Sequence, residues 1–192
     1  MNRMTERLRY FGLVTIATEW LGLVVALHYL KGFNINDPIS TLSVASQPLP
    51  LIFTITVILA SVSFFLFGLY LKPHSRYIPV LAATASAAFL VVGLVPYTGL
   101  GGTKDTIHNL ASLIAVLGYS LIIWECRKHP TRQISRASRY IFASLLVVMV
   151  GAYWNLFVTH KVVAIIQMMI VFFMQCWLLI VTWHSKLAPA TD

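Results

Sequence analysis

The stretch DTIHNLASLIAV, residues 105–116, opens with polar groups and then turns apolar. Asp105 and His108 are three apart, Asn109 follows Asp105 by four and Ser112 follows His108 by four, so a helix carries all of them on one face. Asp105 suits a cap, where a carboxylate accepts from the exposed N–H groups of the first turn. His108 lies beside the positive end of that helix and can serve as a base or as a hydrogen-bond donor. Just upstream, GLVPYTGLGGTKD supplies Gly99, Gly101, Gly102 and Lys104. A glycine loop feeding a helix N-terminus either holds a phosphate, such as that of a lipid head group, or simply closes a tight hairpin. Ser40 and Ser43, three apart in KGFNINDPISTLSVASQPLP, add hydroxyls that an intramembrane hydrolase would use as nucleophile alongside His108 and Asp105.

A metal is the other way to activate water with these groups. His28, His108, His160, Asp37 and Asp105 fall on the same side of the chain's topology, enough donors for zinc in kind and number. No HxxxH or HExxH pair fixes two ligands on one helix, which leaves zinc as an alternative and not the leading expectation.

Glu19 stands apart from both groups. It lies about ten residues into a long apolar run, near mid-bilayer, and there a carboxyl must be protonated, paired or facing a wet cavity. Thr15, one turn earlier on the same face, is a nearby hydrogen-bond partner. A proton or cation carrier and a neutral Glu bonded to another helix are both consistent with that position.

These residues need elements to hold them, and composition says which. The chain has 192 residues, 58% hydrophobic and only 10% charged, far from the usage of a soluble domain. Six apolar runs, 10–30, 49–71, 78–98, 106–126, 139–159 and 162–184, each approach the roughly 20 residues needed for a helical crossing. They are continuous and do not alternate, which excludes a β-barrel. The expected fold is therefore all-α: a polytopic six-transmembrane-helix bundle forming one integral membrane domain over 1–192. The basic opening MNRMTERLRY precedes a run too long for a signal peptide, with no small-x-small cleavage site, so it should stay as the first span.

Eleven of the fourteen basic residues fall on one side of this topology, and only Lys31, Lys104 and Lys161 on the other. That asymmetry puts both termini in the cytoplasm of a plasma-membrane protein. The net charge of +8 then reads as contact with anionic lipid and not with nucleic acid. Cys126 and Cys176 lie toward the cytoplasmic half, where thiols stay reduced.

The connections carry further signals. Asp37 and Pro38 form a cap and first helical residue, and Ile39, Leu42 and Ala45 recur at helical spacing, predicting a short re-entrant or interfacial helix in the first outer loop. Small residues repeat four apart in AATASAAF, as Ala82 with Ser86 and Ala83 with Ala87, so a neighbouring helix can approach closely. Pro96 ends or kinks the third span and frees a carbonyl that something nearby must satisfy. Glu125 is expected to pair with Arg127 and Lys128, and His74, His129 and His184 to be solvated interface groups. Asn155, Gln167 and Gln175 are expected to hydrogen-bond between helices.

The segments PISTLSV, GLVP and HNLAS, in that order along the chain, resemble the six-helix membrane family catalogued as domain of unknown function 998, itself distantly similar to the Frag–DRAM–Sfk group. The resemblance spans nearly the whole chain. It implies that Ser40, Pro96 and His108 come together on the outer side; Ser43 stands where the pattern would have a glycine. It implies no reaction, since the family has no established activity.

The expected function is that of an integral membrane protein with an outward-facing polar pocket for a lipid head group or small ligand. Ser43, Asn109, Gly101, Gly102, Lys104 and Glu19 would bind, and Ser40, Asp105 and His108 would be catalytic if the chain is a lipid hydrolase. A third reading is a small proton-coupled transporter using Glu19, although residues 10–98 and 106–184 show no internal match.

Overall fold

The computed structural model describes residues 6–29, 39–45, 48–100, 102–154 and 163–185. Six helices run through them: α1 (Phe11–Tyr29), α2 (Leu49–Tyr70), α3 (Ile78–Leu94), α4 (Thr103–Glu125), α5 (Arg132–Trp154) and α6 (Val163–His184). Among the described residues there is no strand. Five of the helices are long and apolar enough to cross a membrane, and α3 is a shorter apolar helix of 17 residues. Leu21, Val80, Val147 and Val150 are 66–73% exposed on the outside of the bundle. So much outward apolar surface is costly in water and costs nothing in lipid. Two hydroxyls inside the spans are satisfied within their own helices: Ser61 donates to the Val57 carbonyl at 2.6 Å and Ser120 to that of Val116 at 2.8 Å.

Successive helices pack side by side from α1 to α4, α5 packs on α6, and contacts of α4 with α5 and of α1 with α6 complete the bundle. Small residues bring α3 into the middle of this arrangement. Ala82 meets Gly68 of α2 and Ala85 meets Gly118 of α4, so closely that a Cβ on either glycine would collide. Ala82, Ala85 and Ser86 are buried, whereas Ala83 and Ala87 are exposed. Only one of the two expected small-residue rows is a packing face, because α3 touches its neighbours along one side. The main core gathers Phe64, Phe67, Ile122, Ile123, Trp177 and Leu178, with the Trp177 indole donating to Ser138 Oγ at 2.9 Å.

Two boundaries differ from expectation. The third helix stops at Leu94 and not near residue 98, because the residue before a proline is driven to extended backbone. Val95 has φ −104° and ψ 106° accordingly. The fifth helix begins at Arg132, soon after Pro130: no proline follows before Trp154, and the one glycine, Gly151, lies in the last turn.

In the first connection, Ile39–Val44 forms a 3-10 helix, tighter than an α-helix. Leu42 buries against Ala26 and Leu49, fastening this segment to α1 and α2. Asp37 and Pro38, the expected start of the loop helix, lie outside the described residues.

Candidate functional site

The turn after α3 shows what the Pro96 break does. With Val95 extended, its carbonyl has no helical partner, and His108 of α4 takes it: Nδ1 donates to Val95 O at 2.7 Å. A carbonyl only accepts, so Nδ1 carries the hydrogen, and in the neutral ring Nε2 is left as a bare acceptor. No described residue hydrogen-bonds Nε2. His108 is only 2% exposed, with the Tyr97 ring 5.5 Å away between centroids.

Asp105 acts differently from the expected cap. The helix is preceded by Gly102 at φ 110°, a conformation that glycine adopts without strain. Asp105, buried in the first turn, reaches back across the turn instead: its Oδ1 accepts from the Thr98 backbone N–H at 2.7 Å, and the Thr98 hydroxyl lies 3.0 Å from both carboxylate oxygens. The carboxylate therefore anchors the chain at Thr98, while Nδ1 of His108 is oriented by Val95 and not by Asp105. A serine–histidine–aspartate relay is not assembled in that order.

His108 borders a cavity of about 380 Å³, shared with Ser40, Asn109, Ser112 and Tyr97. Most of its walls are apolar, from Phe53, Phe89, Ile170 and Met174 among others, so the expected polar recess is an apolar chamber with a few polar groups. Ser40 is positioned from two directions: Leu42 packs below it, and the Ile39 N–H donates to Gln167 Oε1 on α6 at 2.8 Å. Of the other expected site residues, Lys104 and Gly102 are exposed and away from the walls, Gly101 lies outside the described residues, and so does the side chain of Ser43.

Glu19 also borders this chamber, and its Oε2 accepts from Gln175 Nε2 of α6, 2.6 Å away. Thr15 is not its partner; that hydroxyl donates to the Phe11 carbonyl at 2.9 Å. Glu19 and Gln175 also border a second chamber of about 460 Å³, lined by Trp20, Leu23, Met168 and Phe172. Tyr97, Gln167 and Tyr119 are wall residues that sequence reasoning had not assigned to a site. The spacing of Gln167 and Gln175, eight apart and so on one face of α6, was the available signal for the polar lining.

A family model described as a protein of unknown function, DUF998, matches residues 12–184. The chain belongs to that family. The match takes in α1 to α6 of this DUF998 protein, Phe11 apart, and both chambers, but its description assigns no activity. The likeness to the Frag–DRAM–Sfk group finds no counterpart, as neither a curated protein nor a solved structure matches the chain.

The opposite end of this DUF998 bundle corrects two further expectations. His129 is buried and not solvated; its Nδ1 accepts from the Thr131 N–H at 3.1 Å, so its Nε2 carries the hydrogen and donates to Nε2 of His74 at 3.0 Å. Burial, then the neighbouring His74, push His129 down to about 4. Glu125 accepts from Ser75 Oγ at 2.7 Å, while Arg127 stacks over the Trp124 ring at 3.8 Å and donates to the Trp124 carbonyl. An aromatic face nearby competes well with an exposed ion pair. Among the described residues no three His, Cys, Asp or Glu converge on one point. His160 and Asp37, two of the expected zinc donors, lie outside those residues, and His28 is exposed.

Proposed function

We propose that this chain binds a lipid or a lipid-like small molecule in its two chambers, with the polar part in the His108 chamber and the apolar part in the other. The observation that carries this reading is their common wall. Glu19, Gln175, Phe53, Phe89 and Val171 border both, so one elongated molecule can occupy the pair. The second chamber is lined by Trp20, Ile165, Met169 and Phe172, each also 42–54% exposed on the bundle's flank between α1 and α6. A site open on a lipid-facing flank draws its ligand from the bilayer. Methionine-rich walls adapt to variable tails.

The same reading makes the chain a single integral domain of the plasma membrane. Arg7, Lys72, Arg76, Arg127, Lys128 and Arg132 gather at the His129 end, so that end is cytoplasmic, with both termini, and the His108 chamber lies toward the outside.

Lipid extraction and mass spectrometry of the chain purified in mild detergent test the proposal. A defined amphiphile should co-purify, and Ser112→Phe, which fills the chamber, should release it. A preparation free of lipid, or one whose lipid is indifferent to Ser112→Phe, overturns the reading.

A second reading, lipid hydrolysis, is favoured by the bare Nε2 of His108 on the same cavity as Ser40. It predicts turnover of a lipid ester that His108→Ala abolishes while the fold persists.

A further inference from the structure

Building on the ligand-binding reading above, we infer that the bound molecule carries a hydrogen-bond-donating head, an ammonium or a hydroxyl, recognised by Glu19 together with Gln175, and that acids are rejected.

The polar inventory of the chambers points to a donor. Gln175 is 4% exposed, and while its Nε2 donates to Glu19, its Oε1 is buried with no hydrogen-bond partner. Buried amide oxygens are ordinarily paired, so this one marks a place where a donor belongs. Beside it, the Glu19 carboxyl accepts a hydrogen bond from Gln175, and no described basic side chain acts on it. In the wall of the same chamber, Nε2 of His108 is an acceptor, because Val95 holds the hydrogen on Nδ1. The polar wall residues Glu19, Gln175 and His108 thus all carry acceptor atoms that want a donor.

The wall residues also say what the chambers exclude. Among the described residues, neither chamber has a Lys or Arg in its lining. A carboxylate or phosphate head would sit next to Glu19 with no described cation in the walls to compensate it, in surroundings where an unpaired charge is most unfavourable. An ammonium would pair with the Glu19 carboxylate; a hydroxyl would donate to Gln175 Oε1 or to the carboxyl. In either case the tail runs into the chamber lined by Leu23, Met168 and Phe172, which opens between α1 and α6.

The test uses the full chain in detergent micelles and three probes of one tail length, hexadecylamine, hexadecanol and hexadecanoate, with retention read by native mass spectrometry. The amine, the alcohol or both should be held about tenfold more tightly than the acid, the value of one charge-assisted hydrogen bond. The amine alone identifies an ammonium ligand, and the alcohol alone a hydroxyl ligand. Equal retention of all three overturns the donor inference and leaves the ligand-binding reading standing; retention of none removes both. Glu19→Gln, which preserves the side chain's shape, should weaken the amine by about tenfold or more. Undiminished amine binding in a folded Glu19→Gln chain also overturns the inference. The head-group comparison on the unaltered chain does not depend on that variant folding.

Discussion

His108 on α4 and Val95 at the end of α3 are joined by a hydrogen bond of 2.7 Å from the imidazole Nδ1 to the backbone carbonyl. Pro96 stops the third helix, its predecessor turns extended, and the carbonyl left over fixes both the orientation and the tautomer of the ring. Replacing His108 by Ala removes the donor to Val95 O, which should cost about 1–3 kcal/mol. His108→Gln, which retains a donor, should recover part of that. Thermal melting of the purified variants in detergent checks the order, and equal melting of wild type and His108→Ala would show the bond to be unimportant.

Asp105 secures the same turn through Thr98. Asp105→Ala strips the Thr98 N–H of its acceptor and should destabilise by a further 1–3 kcal/mol, roughly, while Asp105→Asn keeps an oxygen in position and costs less. Hydrogen exchange at the Thr98 amide should rise in Asp105→Ala and stay near wild type in Asp105→Asn.

Gln167 holds the Ile39–Val44 segment against α6 by accepting from the Ile39 N–H at 2.8 Å. Gln167→Leu is expected to cost about 1 kcal/mol and to speed exchange in residues 39–45 more than in α2. Any ligand held next to Ser40 should be retained less well by the variant, and unaltered exchange there would show that the segment is held by Leu42 packing alone.

Gly68 and Gly118 set the distance of α3 from its two neighbours through Ala82 and Ala85. Valine at either position overpacks the crossing and should lose about 1–3 kcal/mol. Gly118→Val with full stability would mean that the helices can move apart freely.

His129 supplies a pH dependence. Its folded value, about 4, lies below the ordinary 6.5, so the folded state favours the neutral ring. The unfolded chain then binds a proton that the folded chain refuses, and the stability from the His74–His129 pair is fully present above about pH 6.5. It is lost progressively as pH falls from there toward 4. Melting temperatures taken across that window should fall for the wild type and fall less steeply for His129→Gln. Parallel curves would contradict the assignment.

Much of this molecule was legible in the chain itself. Length and continuity of apolar runs yield helices in any lipid setting, because backbone groups there must be paired within their own segment. That requirement is local, so the six helices, the Pro96 break and the interhelical role of Gln175 follow from residue order. The three-and-four spacing also brought His108 and Ser112 to one face, and both border the chamber.

What residue order left open was partner choice. Asp105 was equally suited to its own helix and to Thr98, Glu19 to Thr15 and to Gln175, and Glu125 to Arg127 and to Ser75. Each choice depends on distances of a few ångströms between different segments, and hydrogen-bond energies fall off within that range. The pairing of His129 with His74, and the common wall that joins two chambers at Glu19 and Gln175, exist only once the helices have packed.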